Sequence, residues 1–191
     1  MQVKVRCEWA TDELNIKYHD NEWGVPVHND RKLFEMLVLE GAQAGLSWTT
    51  ILKKRESYRL AFDGFNPEKI ATYDRKKIDS LLTNEGIIRN KLKIAATIAN
   101  AKAYLKILEE FGSFDKYIWG FVGDKTIDNK IRNHDDYKPK TKESEDMSRD
   151  LLARGFKFVG PTICYAFMEA VGMVNDHQIT CFRYKQLTTD N

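Results

Sequence analysis

Four candidate metal ligands lie at the two ends of the chain, Cys7 and His19 near the start and His177 and Cys181 near the finish. Zinc prefers thiolate and imidazole ligands, and four of them complete its tetrahedron and leave no open position for catalysis. The spacing His177-x-x-x-Cys181 lets two side chains converge from one turn, whereas Cys7 and His19 fit no compact zinc-finger pattern. The alternative to a structural zinc that joins the termini is two satisfied histidines and two buried thiols.

Glu40 is the single residue best suited to binding or acid–base chemistry. It follows Leu33 by seven positions and Met36 by four, so on a helix it shares their apolar face. Burying a carboxylate is unfavourable unless the group is paired or hydrogen-bonded. The pattern therefore indicates a carboxylate at the floor of a ligand pocket, a buried ion pair with an arginine or lysine, or a position at the helix end that reaches solvent.

Four large aromatic residues lie in the same quarter of the chain as Glu40: Trp9, Tyr18, Trp23 and Trp48. Indole and phenol rings offer flat faces with a polar edge, which suits them to stacking on a planar heterocycle. Each ring alone fits a core or rim position equally well. The set, flanking a buried glutamate, favours a binding pocket.

A basic segment around residues 81–93 joins two expected helices through a tight turn. Its backbone N–H groups and basic side chains suit phosphate binding at the start of the second helix. The candidate DNA-backbone contacts are Gly86, Arg89, Asn90, Lys91 and Lys93. The segment resembles a degenerate helix-hairpin-helix element, and an ordinary pair of antiparallel helices is the alternative.

These residues must be positioned by helices, because helical periodicity dominates the chain and no strand pattern or internal repeat is present. Asp30, Ser47 and Gly160-Pro161 are expected to begin helices, and Pro67 suits the first turn of a short one. The fold class is predicted to be all-α. The predicted helices cover residues 30–43, 47–62, 74–84, 89–110, 113–121, 144–154 and 162–171, and the polar stretch 123–143 is predicted to be a long exposed loop.

The composition indicates an ordinary soluble globular protein, with 191 residues, 42% hydrophobic and 30% charged residues. No apolar run is long enough to span a membrane, and the first residues lack the apolar core of a signal peptide. Three cysteines without a short-spaced framework agree with a reducing compartment, so the cytoplasm is expected. The net charge of +2 does not by itself point to nucleic acid.

Taken together, the segments resemble DNA-3-methyladenine glycosylase I, a family of bacterial helix-hairpin-helix enzymes. The resemblance covers nearly the whole chain, from Cys7 to about Cys181. It is carried by Arg6-Cys7-Glu8-Trp9, Tyr18-His19-Asp20-Asn21-Glu22-Trp23-Gly24-Val25-Pro26, Leu33-Phe34-Glu35-Met36, Leu39-Glu40-Gly41-Ala42-Gln43-Ala44-Gly45-Leu46-Ser47-Trp48, Arg154-Gly155-Phe156-Lys157-Phe158-Val159-Gly160-Pro161-Thr162-Ile163-Cys164-Tyr165 and Val174-Asn175-Asp176-His177.

The resemblance implies one glycosylase domain over residues 1–191, with a central helical lobe at about 30–120 and terminal segments packed together. It also implies a structural zinc on Cys7, His19, His177 and Cys181. Base recognition falls on Glu40, which is also the expected catalytic residue, and the pocket aromatics fall on Trp9, Tyr18, Trp23 and Trp48. A pocket tyrosine of some members, three residues before Tyr18, is Asn15 here.

The function that follows is release of 3-methyladenine from alkylated double-stranded DNA by base flipping and hydrolysis, without strand cleavage. A monomer with no membrane partner is expected. Two alternatives remain at this point. A non-enzymatic DNA-damage sensor would need neither Glu40 nor Trp48, and a zinc hydrolase would need an open position on the metal.

Overall fold

The computed structural model describes residues 4–189 and is mostly helical, as predicted. The ends of the expected domain, residues 1–3 and 190–191, lie outside the described part. Ten α-helices occur between residues 4 and 189: α1 Glu13–Asn21, α2 Asp30–Gln43, α3 Trp48–Ala61, α4 Pro67–Ala71, α5 Arg75–Thr83, α6 Lys91–Phe111, α7 Phe114–Trp119, α8 Lys142–Ala153, α9 Pro161–Ala170 and α10 Phe182–Thr189. Short 3₁₀ turns lie at Asp63–Phe65, Gly120–Val122 and His134–Asp136.

Helix α2 is the centre of the molecule. Every residue from Leu33 to Ala42 is buried, and the helix packs against α3, α6, α7 and α9. An apolar surface on all sides is typical of such a central helix. Its N-cap is Asn29 rather than the predicted Asp30, because the Asn29 side chain accepts the Lys32 N–H. This central helix therefore fixes the depth of Glu40 in the core.

Two strands of two residues each were not predicted: β1 Ile127–Asp128 and β2 Val174–Asn175. They pair in parallel, with Ile127 beside Val174. Two residues are too few to show an alternating pattern in a sequence. The pair attaches the 123–143 stretch, which is otherwise mostly exposed as predicted, to the segment that follows α9.

The first and last described segments lie against each other. The Phe182 N–H donates to the Val5 carbonyl at 2.9 Å, and the Lys4 ammonium lies 4.6 Å from the centre of the Phe182 ring. Helices α1 and α10 take part in this region, and neither was predicted. Among the helices of residues 4–189, none is long and apolar enough to cross a membrane.

Candidate functional site

Glu40 projects from α2 into a cavity of about 230 Å³. Its side chain is only 4% exposed, and no hydrogen bond joins it to any other residue in the part of the chain that the structure describes. Burial raises the pKa of Glu40 to about 8, so the carboxyl group is mainly the neutral acid at pH 7. Among residues 4–189, Glu40 therefore has no arginine or lysine partner, although a buried ion pair was one of the interpretations left open by the sequence.

The aromatic residues expected around Glu40 all line this cavity. Its wall consists of Trp9, Tyr18, Trp23, Glu40, Gln43, Trp48, Ala166 and Glu169. The rings of Tyr18 and Trp48 lie 5.3 Å apart, and those of Trp9 and Trp23 lie 4.9 Å apart in an edge-on arrangement. These rings offer both faces and edges to a planar ligand.

Trp48 is placed by the start of α3. Ser47 caps that helix as predicted, because its hydroxyl accepts the Thr50 N–H at 3.2 Å. The indole Nε1 of Trp48 is buried without a hydrogen-bond partner. Buried polar groups are nearly always paired in folded proteins, so an unpaired indole N–H and an unpaired carboxyl in one cavity indicate a ligand-binding site.

Glu169 is a second carboxyl on the cavity wall, which the sequence reasoning missed. It lies on α9 and is the only charged residue of that helix. Burial raises the pKa of Glu169 well above its usual value, and the charges of Asp176 and Glu40 and a hydrogen bond with Asp176 raise it further. A lone glutamate on an otherwise apolar helix is the same signal that singled out Glu40.

Asn15 does not line the cavity. Its amide nitrogen donates to Asp12 at 2.6 Å and to the Thr49 hydroxyl at 2.8 Å. The side chain thus ties α1 to the start of α3, one residue beyond Trp48. It supports the cavity from outside, and no ring stacks on the base from this position.

Three of the four expected metal ligands lie together. The ligand atoms of Cys7, His19 and Cys181 are all within 4.8 Å of one another, and all three residues are buried. His19 Nδ1 lies 2.9 Å from the Asp20 carboxylate, which Arg6 holds through its guanidinium. This contact leaves the His19 Nε2 lone pair facing the cluster, where it accepts the Cys7 backbone N–H at 3.4 Å and lies 3.4 Å from the Cys181 sulfur, which is the usual orientation of a metal-binding histidine.

His177, the fourth expected ligand, lies beside this cluster but is not one of the three residues whose ligand atoms are within 4.8 Å of one another. Its ring centre is 5.0 Å from that of His19, and its Nδ1 lies 3.1 Å from the Asn175 side-chain oxygen. Its Nε2 is buried and has no partner. Burial lowers the pKa of His177 to about 3, so the ring is neutral. A neutral ring with a free Nε2 fits a fourth metal ligand, and it sits on a non-helical turn with Cys181.

The metal-ligand cluster and the cavity share aromatic residues. The Trp23 ring stacks on His19 at 6.2 Å and meets His177 edge-on at 4.5 Å, and the Trp9 ring lies 5.4 Å from His19. Both tryptophans also line the cavity. A group that orders His19 and His177 therefore also orders Trp9 and Trp23 in the cavity wall.

The turn between α5 and α6 presents only some of its predicted DNA contacts to solvent. Arg89, Asn90 and Lys91 are exposed, and the Asn90 side chain also caps α6 by accepting the Leu92 and Lys93 N–H groups. The Gly86 N–H donates to the Asn84 side chain at 2.8 Å. Lys93 points inward, where its ammonium donates to two backbone carbonyls of the α2 C-terminus.

Fold and cavity together define a helical protein with a cavity that suits a planar ligand, lined by aromatic rings and a buried carboxyl group. The chain belongs to the methyladenine glycosylase family, whose family model matches residues 9–184. This confirms the resemblance noted in the sequence.

Individual relatives agree with this assignment. The chain is 47% identical to DNA-3-methyladenine glycosylase 1 of Escherichia coli (strain K12) over 180 residues, which covers 94% of this chain and 96% of that protein. It is similar to a crystal structure of 3-methyladenine DNA glycosylase I with a TM-score of 0.91 and 49% identity, covering 93% and 98% of the two chains. A Staphylococcus aureus structure that describes 3-methyladenine recognition by the same enzyme matches with a TM-score of 0.90 and 39% identity, covering 93% and 95%.

Proposed function

We propose that this chain is a DNA-3-methyladenine glycosylase that removes 3-methyladenine from alkylated double-stranded DNA in base excision repair. The observation that carries the proposal is Glu40, a buried carboxyl without a partner, facing a cavity of aromatic rings. The relatives named above bear the same activity in their names. The damaged nucleotide leaves the duplex to enter the cavity, which is cheapest for a lesion with weakened pairing.

Selection of the damaged base follows from charge. Methylation at N3 makes the adenine of the nucleotide cationic, and a cation is attracted to the faces of Trp48 and Tyr18. The same cation favours ionised Glu40, so its binding drives the carboxyl from neutral acid to carboxylate and releases a proton. Normal adenine is neutral, so it gains neither the cation–π attraction nor the attraction to ionised Glu40.

Hydrolysis breaks the bond between the sugar C1′ and the base N9. The bonding electrons move onto the cationic base, which leaves as a neutral molecule. Water then adds its oxygen to C1′ of the developing oxocarbenium ion and loses a proton to solvent. Carboxylate Glu40 stabilises this positive charge electrostatically. The eight cavity-lining residues include no lysine, in keeping with a monofunctional enzyme that forms no imine and cuts no strand.

Zinc is proposed as a structural cofactor held by Cys7, His19, His177 and Cys181. The donor set is the one that closed zinc sites use, and the unpaired His177 Nε2 is the atom that such an ion would engage. Bound there, the metal would hold the first and last segments together and steady Trp23 behind the cavity. The chemistry of base release stays with Glu40 and the aromatic residues.

Phosphate binding is proposed for Arg89, Lys91 and the backbone near Gly86, where the turn precedes the N-terminus of α6. Exposed basic side chains beside the positive end of a helix dipole suit the phosphates of a DNA strand. The protein is proposed to act as a monomer.

The decisive experiment measures free 3-methyladenine released from methylated DNA. Glu40→Ala and Trp48→Ala are compared with the wild type, and Leu60→Ala is the matched control because Leu60 is 82% exposed on α3 outside the cavity. We expect wild-type and control proteins to release the base and the two cavity variants to lose at least tenfold in rate. Absence of release by the wild type, or full activity of both cavity variants, contradicts the proposal. An abasic-site adduct trapped by borohydride would contradict the monofunctional assignment.

A further inference from the structure

We propose that Lys93 is a positioning residue of the base pocket rather than a DNA contact. Its ammonium group fixes the end of α2, which carries Glu40, and the turn that leads to Trp48. This inference rests on the proposed function, because the pocket it positions is the one assigned to the alkylated base. It replaces the role that the sequence suggested for Lys93.

The ammonium of Lys93 bridges two carbonyls at the end of α2. It donates to the Ala42 oxygen and to the Ala44 oxygen, each at 2.8 Å. Ala42 lies two residues after Glu40, and Ala44 lies four residues before Trp48. One charged group therefore holds the backbone of the segment that joins Glu40 to Trp48.

This contact meets a need of α2 that the helix does not satisfy itself. The last four carbonyls of a helix have no partner within the helix, and their dipoles favour a nearby cation. The last turn of α2 contains no basic residue. Lys93, from the first turn of α6, supplies that cation from a neighbouring helix.

Lys93 is poorly placed for phosphate. Its side chain is half-buried, and burial lowers its pKa, whereas Arg89 and Lys91 on either side of the α6 start are exposed. To reach a DNA strand, the ammonium would have to give up both carbonyl contacts. Because the same turn bears the proposed phosphate contacts, Lys93 also connects the DNA-binding surface mechanically to the pocket.

The first test measures binding of free 3-methyladenine without DNA, by tryptophan fluorescence or calorimetry. Lys93→Met removes the charge and keeps most of the length of the side chain. We expect roughly tenfold weaker binding of the base, equal to about 1.4 kcal/mol. Lys102→Met is the matched control, since Lys102 is exposed further along α6, and it should bind like the wild type.

The second test measures DNA affinity as a function of salt concentration. Each phosphate contact adds about 0.9 to the slope of log affinity against log salt. Lys91→Met should lower that slope by about one, and Lys93→Met should leave it at the wild-type value. A Lys93→Met protein that binds the free base normally, or one that loses about one unit of slope, overturns the inference.

A second variant and a measurement without cleavage separate misfolding and an incorrect proposed function from failure of this inference. If Lys93→Met fails to fold, Lys93→Gln, which keeps side-chain N–H donors without the charge, is read in the same two assays. Base binding is measured without cleavage, so an inactive wild type would refute the proposed function while a normal base affinity of the Lys93 variants would refute only this inference.

Discussion

Replacing Glu40 by glutamine should make the free protein more stable at neutral and alkaline pH. The pKa of this carboxyl rises from an ordinary 4.5 to about 8 on folding, because burial disfavours the charged form. A group whose pKa rises on folding contributes stability that is complete below pH 4.5 and is lost as the pH rises through 8. Glutamine has similar size and no proton to lose, so it escapes this loss.

The size of the effect follows from the shift. Each pKa unit corresponds to about 1.4 kcal/mol, so the full change is about 5 kcal/mol above pH 9 and about 3 kcal/mol at pH 7. These values are of the same order as the whole stability of many domains. We therefore expect the free energy of unfolding of Glu40→Gln to exceed that of the wild type by an amount that grows with pH.

The assay is denaturant unfolding of both proteins at pH 5, 7 and 9 in metal-containing buffer. Glu35→Gln is the matched control on the same helix. Burial alone would raise the pKa of Glu35, but the Arg59 hydrogen bond and the charges of Lys32 and Arg55 outweigh it and lower that pKa. A lowered pKa gives stability that is present above the unfolded pKa and lost in acid, so Glu35→Gln should destabilise the protein at pH 7 and pH 9. An equal difference between Glu40→Gln and wild type at all three pH values would refute the reasoning.

Three other changes test the surrounding structure. The purified protein should contain about one zinc ion, and chelation or Cys181→Ala should cause loss of the near-ultraviolet signal and of the folded state; a fully folded, metal-free protein by circular dichroism contradicts this. Gly172→Ala should destabilise the protein in thermal unfolding by about 3 kcal/mol or more, because φ is +74° and a Cβ would lie 2.4 Å from the Pro26 nitrogen. Its control is Gly112→Ala, where φ is +83° and no atom lies within contact distance of the added Cβ, so the cost should be only about 1 kcal/mol. Arg55→Met should cost about 1–3 kcal/mol, because it removes one charged hydrogen bond to the buried Glu35 carboxylate while Arg59 and Lys32 still contact that group, and a loss below about 0.5 kcal/mol in the same assay would show that the pair is not structural.

The helices that local sequence signals define were predicted well. Ser47 caps α3, Pro67 begins α4, and Pro161 begins α9, each at a position that the side chain itself favours. Helices α1 and α10 were missed, because their short sequences lack an extended apolar face. They form where the first and last segments pack together, a long-range contact that no local pattern encodes.

In the candidate site too, residues marked by local sequence signals were predicted and those placed by long-range packing were not. Glu40 could be found from its place on an apolar helix face, and the aromatic residues from their grouping in the chain. The direction of the Lys93 side chain could not, because it depends on where α6 crosses the end of α2. The spacing of His177 and Cys181 favoured two side chains that converge from one turn, whereas the structure groups Cys181 with Cys7 and His19. The backbone between His177 and Cys181 is a turn attached to the 123–143 stretch by the Ile179 N–H bond to the Ile131 carbonyl.

Because Glu40 is buried and unpaired, the rest of α2 must be held in place by other contacts. A buried carboxyl without a partner lowers stability at the point where the ligand must bind, so the helix has to be held at other points. Arg55 holds its first half by donating to Glu35 at 3.0 Å and to the Met36 sulfur at 3.6 Å, and Lys93 holds its last turn. Both cations come from neighbouring helices, one on α3 and one on α6. Since these contacts flank the unpaired carboxyl, weakening either should change base binding as well as stability, whereas equal losses of stability far from α2 should leave base binding unchanged.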